Sequence, residues 1–160
     1  MNAELVIRAE RPDQPEVLTL LEALDTYLTS LYAPEDNHIL GVQQLLAEDV
    51  LFLVARRGGA AVGCGAVRRM PAEPGTAGQA YGEIKRMFVL PAQRGHRIAE
   101  ALLAQLESGL RRHGIAQALL ETGRDQAEAL RLYRRAGYTV RGPFGGYPDN
   151  GLSVFMAKAL

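Results

Sequence analysis

The chain has 160 residues, 18 basic and 18 acidic side chains, and 48% hydrophobic content. This length suits one domain over residues 1–160, able to bury roughly 70% of its unfolded surface without a disulfide or structural metal. A formal net charge of zero argues against a nucleic-acid binder that works by neutralising phosphates, and the lone Cys64 excludes an intrachain disulfide.

The opening residues Met1-Asn2-Ala3-Glu4 lack the basic and apolar runs of a signal peptide. No apolar stretch approaches the ~20 residues of a membrane span. The expected location is the cytoplasm, with no membrane or nucleic-acid partner.

Leu5 to Ala9 reads as a short strand. Asp13 reads as the N-cap of a helix, with Glu16 three residues on. Val17, Leu20, Leu21, Leu24, Leu28 and Leu31 then recur at helical spacing and define one buried face. Tyr32-Ala33-Pro34 ends this helix, and a shorter one covers Val42 to Ala47. The continuous apolar run Val50 to Ala55 is a buried strand. Gly58-Gly59 signals a hairpin returning as a strand from Ala60 to Arg69. Met70 to Gln79, with two prolines and two glycines, is an exposed loop. Tyr81 to Leu90 is a further strand, stopped by Pro91.

Ile98, Leu102, Leu103, Leu106 and Leu110 mark a strong helix ending near Gly114. Ala116 to Thr122 is a strand. Asp125 caps the next helix, with Glu128 at its third position and Gly137 past its end. Tyr138 to Arg141 and Ser153 to Ala159 are late strands. The order β α α β β β α β α β β describes a mixed-sheet α/β or α+β domain, with three antiparallel strands in its first half. It lacks the strict βαβ alternation of a dinucleotide-binding fold.

The most informative stretch runs from Val89 to Leu103: a strand, a tight loop and a helix start. Unpaired first-turn amides and the helix dipole make such a start an anion site suited to a pyrophosphate. Arg94, His96 and Arg97 add side-chain donors, and Gly95 lets the backbone approach a ligand. On physical grounds alone a basic, solvent-facing loop is an equal reading. The G-x-G-x-x-G and P-loop patterns are absent.

The run Arg94-Gly95-His96-Arg97-Ile98-Ala99 resembles the coenzyme A pyrophosphate loop of the GNAT superfamily of N-acetyltransferases. Arg94 and Ala99 match the family pattern, whereas Arg97 stands where glycine is usual. The segment Ala129 to Tyr138, with Leu132-Tyr133 and Gly137-Tyr138, resembles the family's late helix. Gly82 to Val89 resembles its central strand. The three segments occur in the family's order, and the run Leu120 to Gly123 and the tail Ser153 to Met156 also look like small bacterial members. The resemblance implies a central, mostly antiparallel sheet of about seven strands flanked by about four helices. It also implies acetyl-coenzyme A as donor substrate, with no metal, and a homodimer, an assembly common in the family.

By this resemblance Met87, Phe88 and Val89 offer backbone amides to the donor, on a strand that splays from the one at Ala116 to Thr122. Such fixed dipoles stabilise developing negative charge. Arg94, Gly95, His96, Arg97, Ile98 and Ala99 hold the pyrophosphate, and Gln126 stands where asparagine often contacts the coenzyme arm. Tyr133 matches the tyrosine that protonates the departing thiolate, a role its phenol chemistry allows; a tyrosine packed in the core is the structural alternative. Glu83 matches a general base of some members, or is a charged residue on a solvated strand face. Strand alternation puts it on the same face as Met87.

Glu35, His38, Arg86 and Tyr147 are candidates to bind a polar amine, although each also reads as a surface or capping residue. The crowded Glu35, Asp36 and His38 lack the second cluster a metal site needs. Cys64, between two glycines, reads as a small buried residue. The expected function is direct acetyl transfer from acetyl-coenzyme A to a primary amine of a small molecule. A protein N-terminal or lysine acetyltransferase and a non-catalytic coenzyme A sensor are the alternatives.

Overall fold

A computed structural model describes residues 3–160; Met1 and Asn2, part of the opening run read above against a leader, lie outside the described residues. β1 (Leu5–Ala9) leads into α1 (Pro15–Leu31) and a short helical turn, α2 (Val42–Leu45). β2 (Val50–Arg57), β3 (Ala60–Met70) and β4 (Tyr81–Val89) follow, then α3 (Ile98–Arg112), β5 (Gln117–Gly123), α4 (Ala127–Arg135), β6 (Thr139–Arg141) and β7 (Ser153–Ala159). One seven-stranded sheet runs in the order β1-β2-β3-β4-β5-β7-β6. Every neighbouring pair is antiparallel except β4 and β5. Gly58 and Gly59 join β2 to β3 with φ of 59° and 83°, the left-handed pair that a two-residue hairpin turn needs.

Helices cover both faces of the sheet, which explains why β2 is apolar along its length. Phe52 and Val54 pack beneath Val17, Leu20, Leu21 and Leu24 of α1. The alternating Leu53 and Ala55 face Leu102, Leu103, Leu106 and Leu110 of α3. Each fully buried leucine contributes roughly 1.5–3 kcal/mol relative to exposure. A third cluster, Tyr81, Leu119, Phe144 and Phe155, anchors the loop after β6. Glu73 ties this loop down, accepting from the Tyr81 hydroxyl and from the Gly145 amide at 3.1 Å. The buried Glu107 is satisfied by the Tyr138 hydroxyl and Lys158 Nζ, both at 2.8 Å, as a buried charge requires.

Two expected caps differ. α1 is capped by Gln14 rather than Asp13, and without a side-chain bond. Pro15 opens the helix, its fixed φ suiting the first position, while Asp13 pairs with Arg11 at 2.7 Å. α4 starts after Gln126 rather than at Asp125; the Asp125 amide instead donates to the Tyr32 hydroxyl at 3.3 Å. The Met70–Gln79 segment, expected as an exposed loop, holds a 3-10 turn at Pro74–Thr76 with Thr76 buried. Among the described residues no helix is long and apolar enough to cross a membrane.

Candidate active site

The site forms where the sheet opens. β4 pairs with β5 only through Gly82–Ala118 and Glu83–Leu119. Beyond Glu83 the β4 backbone has no strand partner on that side. β4 also carries a bulge. Its pairing with β3 slips between Cys64 and Ala66, and Arg86 has φ of 58°. The extra residue reverses the alternation. Glu83 and Lys85 therefore point away from α3, whereas Met87 packs with the α3-side core. The expectation that Glu83 and Met87 share a face is thus corrected. Gly65 lies opposite the bulge, where a side chain would collide with the Met87 sulfur.

A groove of about 640 Å³ runs from this opening between the α3 start and α4. Met87, Phe88 and Val89 form one wall; Arg94, Gly95 and Arg97 form its end. Arg97 has φ of 59° and immediately precedes α3. It thus takes up the left-handed conformation that glycine would supply. Gly95, at φ of 86°, has open space around it. Arg94 Nε donates to the Val89 carbonyl at 3.2 Å, and its Nη1 lies 3.6 Å from Glu128 across the groove. Ile98, Ala99 and Gln126 also line it. His96 does not: its Nδ1 folds back to within 3.0 Å of the Gln93 carbonyl, and the ring is exposed.

A second cavity of about 110 Å³ lies under α1 and meets the groove at Leu24, Met87, Gln126 and Tyr133. Tyr133 is 7% exposed and packs edge-on to Tyr138, with ring centroids 5.9 Å apart. Burial pushes its phenol well above the ordinary tyrosine value, so it stays protonated.

The polar lining of the second cavity centres on Glu121, which sequence reasoning did not single out. Glu121 Oε2 accepts from Ser153 Oγ at 2.6 Å and lies 3.2 Å from His38 Nδ1. A carboxylate only accepts, so the His38 nitrogen facing it carries the proton. Glu83 is 5% exposed and lines neither cavity. The Tyr147 hydroxyl donates to it, and Lys85 Nζ stands 3.4 Å away. Lys85 also donates to the Tyr147 hydroxyl at 2.8 Å and the His38 carbonyl at 2.9 Å. Burial first, and Glu83 second, push the Tyr147 phenol up. Tyr147 itself sits behind His38, with ring centroids 4.8 Å apart. Arg86 lines the cavity and is 8% exposed. Glu35 does not reach it.

A charged residue within an apolar strand was the available signal for Glu121; its neighbours Ala118, Leu119 and Leu120 are all buried. Among the described residues no group of three or more His, Cys, Asp or Glu is arranged to hold a metal ion. Cys64 is fully buried, and burial pushes its thiol up to about 12, which keeps it unreactive.

The sheet splits between two parallel strands, with Arg94, Gly95, Arg97 and the start of α3 at the foot of the split. The acetyltransferase (GNAT) family matches residues 8–138, and the chain belongs to that family. It is 47% identical over 167 aligned positions to an "IAA acetyltransferase" of Azospirillum brasilense, covering 98% of each chain. A solved Klebsiella pneumoniae protein with an inferred acyl-CoA N-acyltransferase role shares 37% identity and a TM-score of 0.78, over 99% of both chains. The PaiA N-acetyltransferase of Thermoplasma acidophilum, solved with coenzyme A, superimposes at TM-score 0.73 over 98% of this chain and 99% of its own. At 19% identity that likeness is one of fold. The protein is an acyltransferase by family, and the α3 loop fits the donor used there. Its unpaired helix amides, the open space at Gly95 and the two arginines suit a pyrophosphate.

Proposed function

We propose that this chain moves an acetyl group from acetyl-coenzyme A to the primary amine of a small molecule, by direct attack within a ternary complex. The observation that carries the reading is the junction of the two cavities at Met87, Gln126 and Tyr133. A donor in the groove and an acceptor under α1 would meet there, beside the buried Tyr133 phenol and the unpaired edge of β4.

The donor, when bound, supplies an activated thioester. Arg94, Gly95, Arg97 and the first amides of α3 grip its pyrophosphate, while Ile98, Ala99 and Gln126 flank its arm. Backbone amides on the open edge of β4, at Met87 and Val89, stabilise the negative charge that builds on the acetyl oxygen, while the Phe88 amide faces β3. Glu121, backed by His38, takes the proton of the incoming ammonium, since only a neutral amine attacks. Glu83 acts one layer back, holding Tyr147 and Lys85 in position. Tyr133 gives its proton to the departing thiolate.

Free-thiol release from acetyl-coenzyme A, run against a panel of amino acids, polyamines and aminoglycosides, tests the reading. Release that depends on one class of amine, with kcat reduced about 10²-fold or more in Tyr133→Phe, is the expected result. Coenzyme A binding without turnover on any amine would overturn it.

A further inference from the structure

Arg86 is the unusual residue of the acceptor cavity. Its side chain is only 4% exposed, and Nη1 is held by Asp25 of α1. Its Nε is buried and has no hydrogen-bond partner among the described residues. A buried, charged donor is rarely left unmet in a folded protein, and an arginine offers the Nε–Nη2 edge as a fork shaped for a carboxylate. Asp25 occupies the other end, so this edge is the free one. The side chain lines the acceptor cavity because the bulge turns residue 86 to the α1 side of the sheet, at the cost of a left-handed backbone at a non-glycine position. Such strain concentrates where a site needs a particular side-chain direction. The carboxylate of Glu121 lines the same cavity.

We infer that the acceptor is an amine that also carries a carboxylate, an amino-acid-like zwitterion whose acid group docks on the free edge of Arg86 while its ammonium faces Glu121. This rests on the acetyl-transfer reading and narrows its acceptor class. It separates amino acids from polyamines and aminoglycosides, which have no acid to offer. Leu24, Leu28, Ile39 and Leu152 add an apolar part to a lining that also includes Asp36, Lys85 and Gln126, and would receive an apolar side chain.

The test is calorimetry. Coenzyme A is titrated first; the loaded protein is then titrated with N-acetyl amino acids, from glycine to phenylalanine, and with the matching uncharged N-acetyl amino amides. At least one acid should bind, with its amide at least about tenfold weaker. Arg86→Gln should erase that difference, and Arg86→Lys, which keeps the charge but not the fork, should restore only part of it. Coenzyme A binding in the same titration reports that each variant is folded. Should Arg86→Gln fail to fold, the acid–amide pair on the unaltered protein decides alone. Coenzyme A binding with amides as tight as acids, or with no acid bound, overturns the inference and leaves the acetyl-transfer reading standing. Absence of coenzyme A binding overturns both.

Discussion

At the scale of single residues, the proposed transfer turns on which carboxylate would meet the acceptor. Two candidates lie on adjacent strands and both face away from α3, yet their surroundings differ. Glu83 is closed over by the Tyr147 hydroxyl and Lys85. Glu121 lines the cavity and keeps contact with it beside His38 and Ser153. A proton acceptor must reach the proton it removes, so access decides between them. Glu121→Gln should lower kcat/KM about 10²-fold or more, whereas Glu83→Gln should cost about tenfold or less. Steady-state thiol release on both variants checks this, and the reverse order would return the base to Glu83. Desolvation alone holds the proton on the Tyr133 phenol, where the groove and the second cavity meet.

At the scale of elements, the entry of the chain into α1 depends on one arginine. Arg56 of β2 donates to Glu10 through Nε at 2.9 Å, and to Glu16 through Nη2 at 2.8 Å. It thereby fixes the start of α1, which has no side-chain cap of its own. The hydrogen bond from Arg56 is the main reason that the Glu10 carboxyl lies below its ordinary 4.5. A depressed folded-state value means that the unfolded chain binds more protons as pH falls. The stability from this contact is therefore complete above pH 4.5 and is lost as pH drops through the folded value. Urea unfolding across the acid range should show a shallower loss in Glu10→Gln than in the unaltered protein. Parallel curves would show that Glu10 takes no part in acid stability. The same principle of one element seating another holds at the β5 end, where Gly123 leaves room for the Tyr32 ring that no side chain at 123 could share.

For the whole molecule, the split in the sheet is the feature with the largest consequence. The seven strands bury apolar clusters on both faces, yet β4 and β5 touch through only two registered pairs. Coenzyme A would contact β4, the α3 start and α4 at once, linking elements on both sides of the split. Binding to the folded state alone stabilises it by mass action. Coenzyme A at about 100 times its dissociation constant should add about 2.7 kcal/mol. For a domain of this size that raises Tm by about 5–10 °C. Melting followed by circular dichroism, with and without coenzyme A, measures this, and an unchanged Tm would count against a groove that binds the donor.

Local patterns determined much of this protein. The leucine spacing of α1 and α3, the Gly58-Gly59 turn and the apolar run of β2 are short-range signals, and the elements formed as those patterns require, except that Leu31, expected on the buried face of α1, is exposed at its last turn. The strand, turn and helix start around Arg94 to Ala99 were equally legible, because they follow one another directly in the chain. What the tertiary structure decided was everything that depends on two distant segments meeting. The bulge at Arg86 has no glycine to announce it, so the face presented by Glu83 could not be read by counting alternate residues. Nor did any local pattern pair Glu121 with His38, 83 positions apart, or leave Arg86 with one edge bound and one edge free. Periodicity records which side of an element is buried; only packing records what stands opposite, and the cavity under α1 is made of such opposites.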